Sequence, residues 1–409
     1  MASAPSPQQD PAARPSAAPV AGPVAGPVIA LVAGEASGDN LGAALIEALR
    51  ERLPGARFIG VAGPRMRAAG CEAIADAGEL ALMGLAEILR HLPRLLRLRR
   101  RVNAEILAAR PAVFVGIDAP EFNLGLAARL KSQGIRTVQY VSPQVWAWRQ
   151  GRVKGIGAAC DRILCLLPFE PAFYSAHGVE ARFVGHPLAD QFPMQPDRAA
   201  ARAALGLGEG ETVVAVLPGS RAGEVSRLAT PFAGAAAWLA SHRPGVRFVA
   251  PMVNAAVRAR FEADWAAAAP GLAVQTLDGR AREAMAAADV VLVASGTATL
   301  ETLLSKRPMV VAYRLAGLTA FLLRRFGLVK VKHFSQPNLL AGSEVVPEFF
   351  QEAATPEALG AALLAWLDDP ARVADAQAAF AGVHERLRQG GAALAAQAVL
   401  ELVAARGGE

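Results

Sequence analysis

One unit recurs along this 409-residue chain and leaves it few folds to adopt: a short run of apolar β-formers, a small polar turn, then a helical pattern. Residues 289–302, Asp-Val-Val-Leu-Val-Ala-Ser-Gly-Thr-Ala-Thr-Leu-Glu-Thr, are the clearest copy. Val290 to Val293 have the continuous apolarity of a strand buried on both faces, and Leu300 to Leu304 continue as a helix. Strands of that kind pair in parallel through crossover helices, which puts the turn after each strand on one edge of the sheet. There the first amides of the next helix are unpaired and face any ligand. Gly296 allows close backbone approach, and the hydroxyls of Ser295, Thr297 and Thr299 can serve phosphate oxygens or free amides. Glu301 suits a vicinal diol better than a phosphate. The turn reads as a nucleotide site, with diphosphate at residues 295–299 and ribose at Glu301, or more simply as a capped helix.

The same logic opens the chain. Residues 28–33 form a buried strand, Gly34-Glu-Ala-Ser-Gly-Asp39 its turn, and residues 40–50 a helix. The turn lacks the Gly-x-Gly-x-x-Gly spacing of nicotinamide dinucleotide sites. Glu35, Ser37 and Asp39 either offer acceptors to sugar hydroxyls or cap the helix. Further strands are predicted at 57–61, 112–117, 137–141, 162–167 and 181–184. Asp118 leaves the carboxyl end of one of them, where it either caps the next helix or takes a proton from a hydroxyl nucleophile. Trp146 and Trp148 line a cleft or pack, and His186, a lone imidazole, reads as structural.

Residues 190–210 read as a linker, and the alternation restarts with strands at 212–217, 246–250, 273–277, 289–294 and 309–313. The expected divisions are a Pro/Ala-rich tail at 1–27, a first domain at 28–195, a second at 196–368, and helices at 369–409 that cross back. In Pro218-Gly-Ser-Arg221 the turn carries a cation able to fork onto a departing diphosphate, and Asn338 sits in a loop where it can hydrogen-bond a ligand.

Residues 79–109 stand apart, with an apolar stripe through Leu85, Ile88, Leu92, Leu95, Leu98, Val102 and Ile106 and basic neighbours Arg90, Arg94, Arg97 and Arg101. Such a segment either packs on a core or lies on an anionic bilayer, and residues 315–332 repeat the theme. The net charge of +6 agrees with anionic partners. Nucleic acid fits poorly, because aromatics do not interleave with a basic stripe. No apolar run is long enough to span a membrane, and three cysteines form no disulfide framework.

Seven stretches taken in order carry a resemblance: Gly34-Glu-Ala-Ser-Gly-Asp39, Ile117-Asp-Ala-Pro-Glu-Phe-Asn123, Tyr140-Val-Ser-Pro-Gln-Val-Trp-Ala-Trp148, Val184-Gly-His-Pro187, Leu217-Pro-Gly-Ser-Arg221, Ser295-Gly-Thr-Ala-Thr-Leu-Glu301 and Pro337-Asn-Leu-Leu-Ala341. Together they resemble the motif series of the lipid-A-disaccharide synthases. The resemblance implies an α/β protein of two facing Rossmann-like doubly wound domains, the GT-B arrangement, with an interdomain cleft. It implies an inverting, metal-independent hexosyltransferase, without cofactor, that moves 2,3-diacylglucosamine from UDP-2,3-diacylglucosamine to 2,3-diacylglucosamine 1-phosphate. Asp118 and Arg221 would then be catalytic, and Glu35, Ser37, Asp39 and Asn123 would meet the sugars. Arg221, Ser295, Gly296, Thr297, Thr299, Glu301 and Asn338 would hold UDP. Glu121 stands where the family is expected to carry Asp. The enzyme would lie peripherally on the anionic cytoplasmic face of a Gram-negative inner membrane, with a homodimer left open. Other readings keep the fold as a UDP-N-acetylglucosamine 2-epimerase or lipid II-forming transferase, or make the chain a non-catalytic lipid or nucleotide binder.

Overall fold

The computed structural model describes residues 26–81, 88–148, 150–315 and 333–406. Residues 1–25 of the predicted tail and nearly all of the second basic segment lie outside them, as do the side chains of Arg90 and Trp148.

The described strands form two sheets. The first holds β1 (Val28–Ala33), β2 (Arg57–Ala62), β3 (Cys71–Asp76), β4 (Val113–Ile117), β5 (Arg136–Tyr140), β6 (Arg162–Cys165) and β7 (Ala181–Phe183), in the order β3-β2-β1-β4-β5-β6-β7. The second holds β8 (Val213–Leu217), β9 (Arg247–Met252), β10 (Gln275–Asp278), β11 (Val290–Ala294), β12 (Met309–Tyr313) and β13 (Glu348–Phe350), in the order β10-β9-β8-β11-β12-β13. Every pairing is parallel. In each sheet the chain steps to one edge and then returns to the other side of its first strand, so the order reverses between β1 and β4 and between β8 and β11. Crevices for ligands open at such reversals.

β3 and β13 were not expected from the sequence. β3 is an edge strand that turns Glu72 and Asp76 outward, Glu72 meeting Arg57 of β2 at 2.8 Å, so it lacks the buried strands' unbroken apolar run. β13 is only three residues long.

Helices cover both faces of the first sheet. On one face Ile29, Leu31, Val113 and Val115 pack with Leu45, Ile46 and Leu49 of the helix Ala36–Arg52 and with Ala395, Ala396 and Val399 of the helix Gly391–Arg406. The last helix of the chain therefore completes the core of the first sheet. Asp190 accepts from the amides of Gly390 and Gly391 at 3.0 and 2.7 Å, and Arg162 donates to the carbonyl of Ala398 and meets Glu401 at 3.1 Å.

The opposite face corrects part of the membrane reading. Leu98, Val102 and Ile106 of the basic helix Ile88–Ala109 are buried with Ala30, Val32 and Phe114, so that stretch of the stripe is core and cannot enter a bilayer. Arg101 donates to the Ile74 carbonyl at 2.7 Å and to Glu105 at 2.9 Å, and Arg94 lies 3.6 Å from Glu79. Outward stand Leu96, 39% exposed, and Arg97, bonded only to the Pro93 carbonyl among the described residues. No described helix is long and apolar enough to cross a membrane.

Asp39 is also corrected. It is 3% exposed, and its two oxygens accept from the amides of Gly63, Arg65 and Met66 at 2.9, 2.8 and 3.0 Å. It caps the helix Pro64–Ala68 that follows β2 and is not free for a sugar.

Two outcomes follow from this packing. Asp39→Ala leaves the three buried or half-buried amides without that acceptor and should cost about 2–4 kcal/mol in urea unfolding, with Asp39→Asn costing less. Val399→Asp puts a charge in the shared core and should lower the first unfolding transition by more than about 3 kcal/mol.

Candidate active site

A cleft of about 790 Å³ opens where the carboxyl edges of the two sheets face each other. Ser37 and Asn40, Asp118, residues 140–144, Glu170 and residues 186–188, 190 and 191 line it from one side. Arg282, Thr297, Glu301 and Gln336 line it from the other, with Ala392 of the last helix. Four sequence-predicted residues, Ser37, Asp118, Thr297 and Glu301, are thus brought to one space.

Asp118 leaves β4 on a constrained backbone. Its φ is +51° and that of Ala119 is +40°, two consecutive left-handed residues that are not glycine. Side-chain amides hold them there: Asn123 donates to the Asp118 carbonyl at 2.9 Å and Gln139 at 3.0 Å, while the Asp118 amide donates to the Tyr140 carbonyl at 2.8 Å. Two glycines make room. A Cβ on Gly116 would stand 2.8 Å from the Asn123 Cβ and 3.1 Å from the Gln139 Oε1, and one on Gly34 would stand 2.5 Å from the Ala119 Cβ. Burial pushes the Asp118 carboxyl above its ordinary value, partly offset by a hydrogen bond from the Ala119 amide.

The adjoining wall is also braced. Val141, β-branched yet at φ +74°, directly follows β5. Glu170 is buried and accepts from Ser142 Oγ at 2.6 Å, Trp146 Nε1 at 3.1 Å and the Leu167 amide at 3.0 Å. Burial raises its pKa, and these hydrogen bonds act against that. Trp146 packs edge-on against Phe169 at 4.9 Å. His186 is structural: it caps the helix Pro187–Gln191, its Nδ1 accepting from the Leu188 amide at 3.2 Å, and burial lowers its pKa to about 4.

On the other side, the helix Thr297–Leu304 begins at Gly296 with no side-chain cap, and beyond its chain neighbours no described residue has an atom within 4 Å of where a Cβ on Gly296 would stand. The helix mouth is open, as an anion site requires. Glu301 is half-buried; burial raises its pKa and the charge of Arg282 opposes the rise.

Other predicted contacts are bonded within the protein or stand outside this lining. Asn123 is fully buried, donating also to the carbonyls of Val32 and Ile117 at 3.2 and 3.3 Å. Asn338 is fully buried as well: its Nδ2 donates to the Val346 carbonyl and Glu348 at 2.9 and 2.8 Å, and its Oδ1 accepts from the amides of Val345 and Val346. The amide group has no capacity left for UDP. Thr299 is buried and donates to the Gly296 carbonyl at 2.8 Å, and Ser295 donates to the Phe334 carbonyl at 3.2 Å. Glu35 is exposed at the cap position of the first helix, outside the cleft lining. Arg221, with an 80% exposed side chain, pairs with Glu224 at 3.2 Å and also lies outside the lining. Glu121 meets Arg152 at 2.6 Å. Sequence reasoning missed Asn40, Glu170, Arg282 and Gln336, none of which sits in a conspicuous turn.

With this geometry in place, comparison with known proteins is informative. Residues 29–402 match a family profile described as lipid-A-disaccharide synthetase. The lipid-A-disaccharide synthase of Alkalilimnicola ehrlichii is 56% identical over 368 residues, 90% of this chain and 95% of that protein. That of Pseudomonas aeruginosa is 54% identical over 364 residues, 89% and 95% of the two chains. Among solved structures, a UDP-GlcNAc 2-epimerase from Neisseria meningitidis bound to UDP-GlcNAc is similar with a TM-score of 0.60, 10% identity, and 91% and 98% of the two chains covered. The glycotransferase of kitacinnamycin gives 0.59 at 20% identity, covering 93% and 100%. These two likenesses establish the fold, two parallel-sheet α/β domains of GT-B type. The family match and the sequence relatives establish more: the chain belongs to the lipid-A-disaccharide synthase family of glycosyltransferases.

Proposed function

We propose that the cleft transfers 2,3-diacylglucosamine from UDP-2,3-diacylglucosamine to 2,3-diacylglucosamine 1-phosphate, with Asp118 as general base. The observation that carries this reading is the position of Asp118: a half-buried carboxylate on a braced left-handed turn, lining the same space as Thr297 and Glu301. In the step, the acceptor 6-hydroxyl oxygen attacks the donor anomeric carbon from the face opposite the diphosphate. The new C–O bond forms as the bond to UDP breaks, inverting that centre. The bonding pair leaves with UDP, and the hydroxyl proton passes to the Asp118 carboxylate.

On the nucleotide side, the open mouth of the helix Thr297–Leu304 suits the diphosphate, and the Glu301 carboxylate suits the ribose diol. Ser37, at the start of the first helix, is placed for the sugar pair. Arg221, outside the cleft lining, is given no role in this step. Acylated substrates of this kind suit an enzyme that lies peripherally at the cytoplasmic face of the inner membrane. Arg97 and Leu96, with the exposed Arg94 and Arg101, form the surface we assign to that contact.

Asp118→Asn keeps the shape but removes the basicity, so disaccharide formation should fall roughly 100-fold or more while UDP binding is retained. Because the base works only when ionised and its folded pKa is raised, kcat/KM of the wild-type enzyme should fall with decreasing pH through a midpoint above the ordinary carboxylate value. A midpoint at or below that value would remove Asp118 as the base. Replacing Arg94, Arg97 and Arg101 by Glu should weaken sedimentation with anionic liposomes, and unchanged sedimentation would remove this surface from the membrane contact.

A further inference from the structure

We propose that Arg282 is the cation by which this cleft reads a substrate phosphate. The inference rests on the reading above, in which every substrate carries a phosphate or diphosphate. The described lining contains four carboxylic acids, Asp118, Glu170, Asp190 and Glu301, and a single guanidinium, Arg282. His186 adds no charge, since its Nδ1 accepts from a backbone amide and its pKa is about 4. Apart from the open N-terminus of the helix Thr297–Leu304, that guanidinium is the feature of the described lining that attracts a phosphate.

The guanidinium is held without a carboxylate in contact with it, although it stands near enough to Glu301 for its charge to lower that carboxyl's pKa. Its Cζ lies 4.5 Å over the ring of Phe192, and Nη2 donates to Gln191 Oε1, an uncharged acceptor, at 3.0 Å. The neighbouring Arg280 pairs with Glu283 at 3.5 Å, whereas Arg282 has no carboxylate oxygen within 4 Å among the described residues. Stacking fixes the plane of the fork, one donor is used, and the remaining N–H groups are available for two phosphate oxygens at once. Placement adds a second consequence. Arg282 belongs to the helix Ala281–Ala287 between β10 and β11, whereas Gln191 ends the helix Pro187–Gln191 that follows β7. An anion held here is therefore bound where the two halves already touch.

The phosphate is either the diphosphate of the sugar nucleotide or the 1-phosphate of the acceptor, and the experiment separates them. Binding of UDP and of uridine is measured by titration calorimetry on the full chain, wild type, Arg282→Gln and Arg282→Lys. KM is measured for the acceptor with and without its 1-phosphate. The expected result is a loss of about tenfold or more in Arg282→Gln for one phosphate-bearing ligand, none for its phosphate-free counterpart, and an intermediate loss in Arg282→Lys, which keeps charge but not the fork. A loss for UDP but not uridine identifies the diphosphate. A rise in KM confined to the phosphorylated acceptor identifies the 1-phosphate. Equal losses with and without phosphate, or no loss for either pair, overturn the proposal. Because calorimetry needs no turnover, a wild type that binds UDP but forms no disaccharide refutes the transferase reading separately.

Discussion

Two buried carboxamides hold the Asp118 carbonyl, and the wall of the cleft that carries the proposed base depends on that grip. Consecutive left-handed residues other than glycine cost about 1–3 kcal/mol each and persist only where the surroundings over-determine them. Here they are fixed by Asn123 and Gln139 from behind, by the Tyr140 carbonyl alongside, and by the missing side chains at Gly34 and Gly116. Asn123 Oδ1 and Gln139 Oε1 are themselves buried without a partner among the described residues. Polar groups are thus spent on one backbone turn, and the result is a carboxylate whose direction is set before any substrate arrives.

The two halves divide the chemistry by the way each sheet reverses its strand order. The first half places an acid at the β4 edge and surrounds it with braces: Glu170 under the Ser142–Trp146 wall and His186 capping the short helix after β7. The second half places an uncapped helix mouth and Glu301 after β11. Burial raises the pKa of both Asp118 and Glu301, so each half contributes a carboxyl held partly out of water.

The sequence made the repeating unit legible, because continuous apolar runs such as Val290 to Val293 and turns such as Asp118-Ala-Pro have few alternatives. It located the turns that flank both reversals, and with them Ser37, Asp118, Thr297 and Glu301. It could not separate a ligand contact from a brace among polar residues of the same turns. Asp39 is used by amides 24 to 27 residues away, and Asn338 is used by a strand approach 7 to 10 residues on, pairings visible only once the chain is folded. Arg282 escaped for the opposite reason: it sits within a helix without a motif, and its value comes from Gln191 and Phe192 far off in sequence. The basic helix shows a third limit. Leu98, Val102 and Ile106 have the spacing of a membrane face or a core face equally, and only the sheet beneath them decides.

The return of the last helix to the first sheet also bears on how the chain is made. Arg162 and its partner Ala398 are 236 residues apart, and the helix that carries Ala398 covers a face of β1 and β4. At roughly 5–20 residues per second, a ribosome needs on the order of 10–50 s to cross that gap. Throughout that interval the face of β1 and β4 that the last helix will cover has only the helix Ala36–Arg52 over it, while the second sheet can complete its own core. The N-terminal half is therefore the last to mature, and its early strands are where a nascent chain of this protein would call on chaperones.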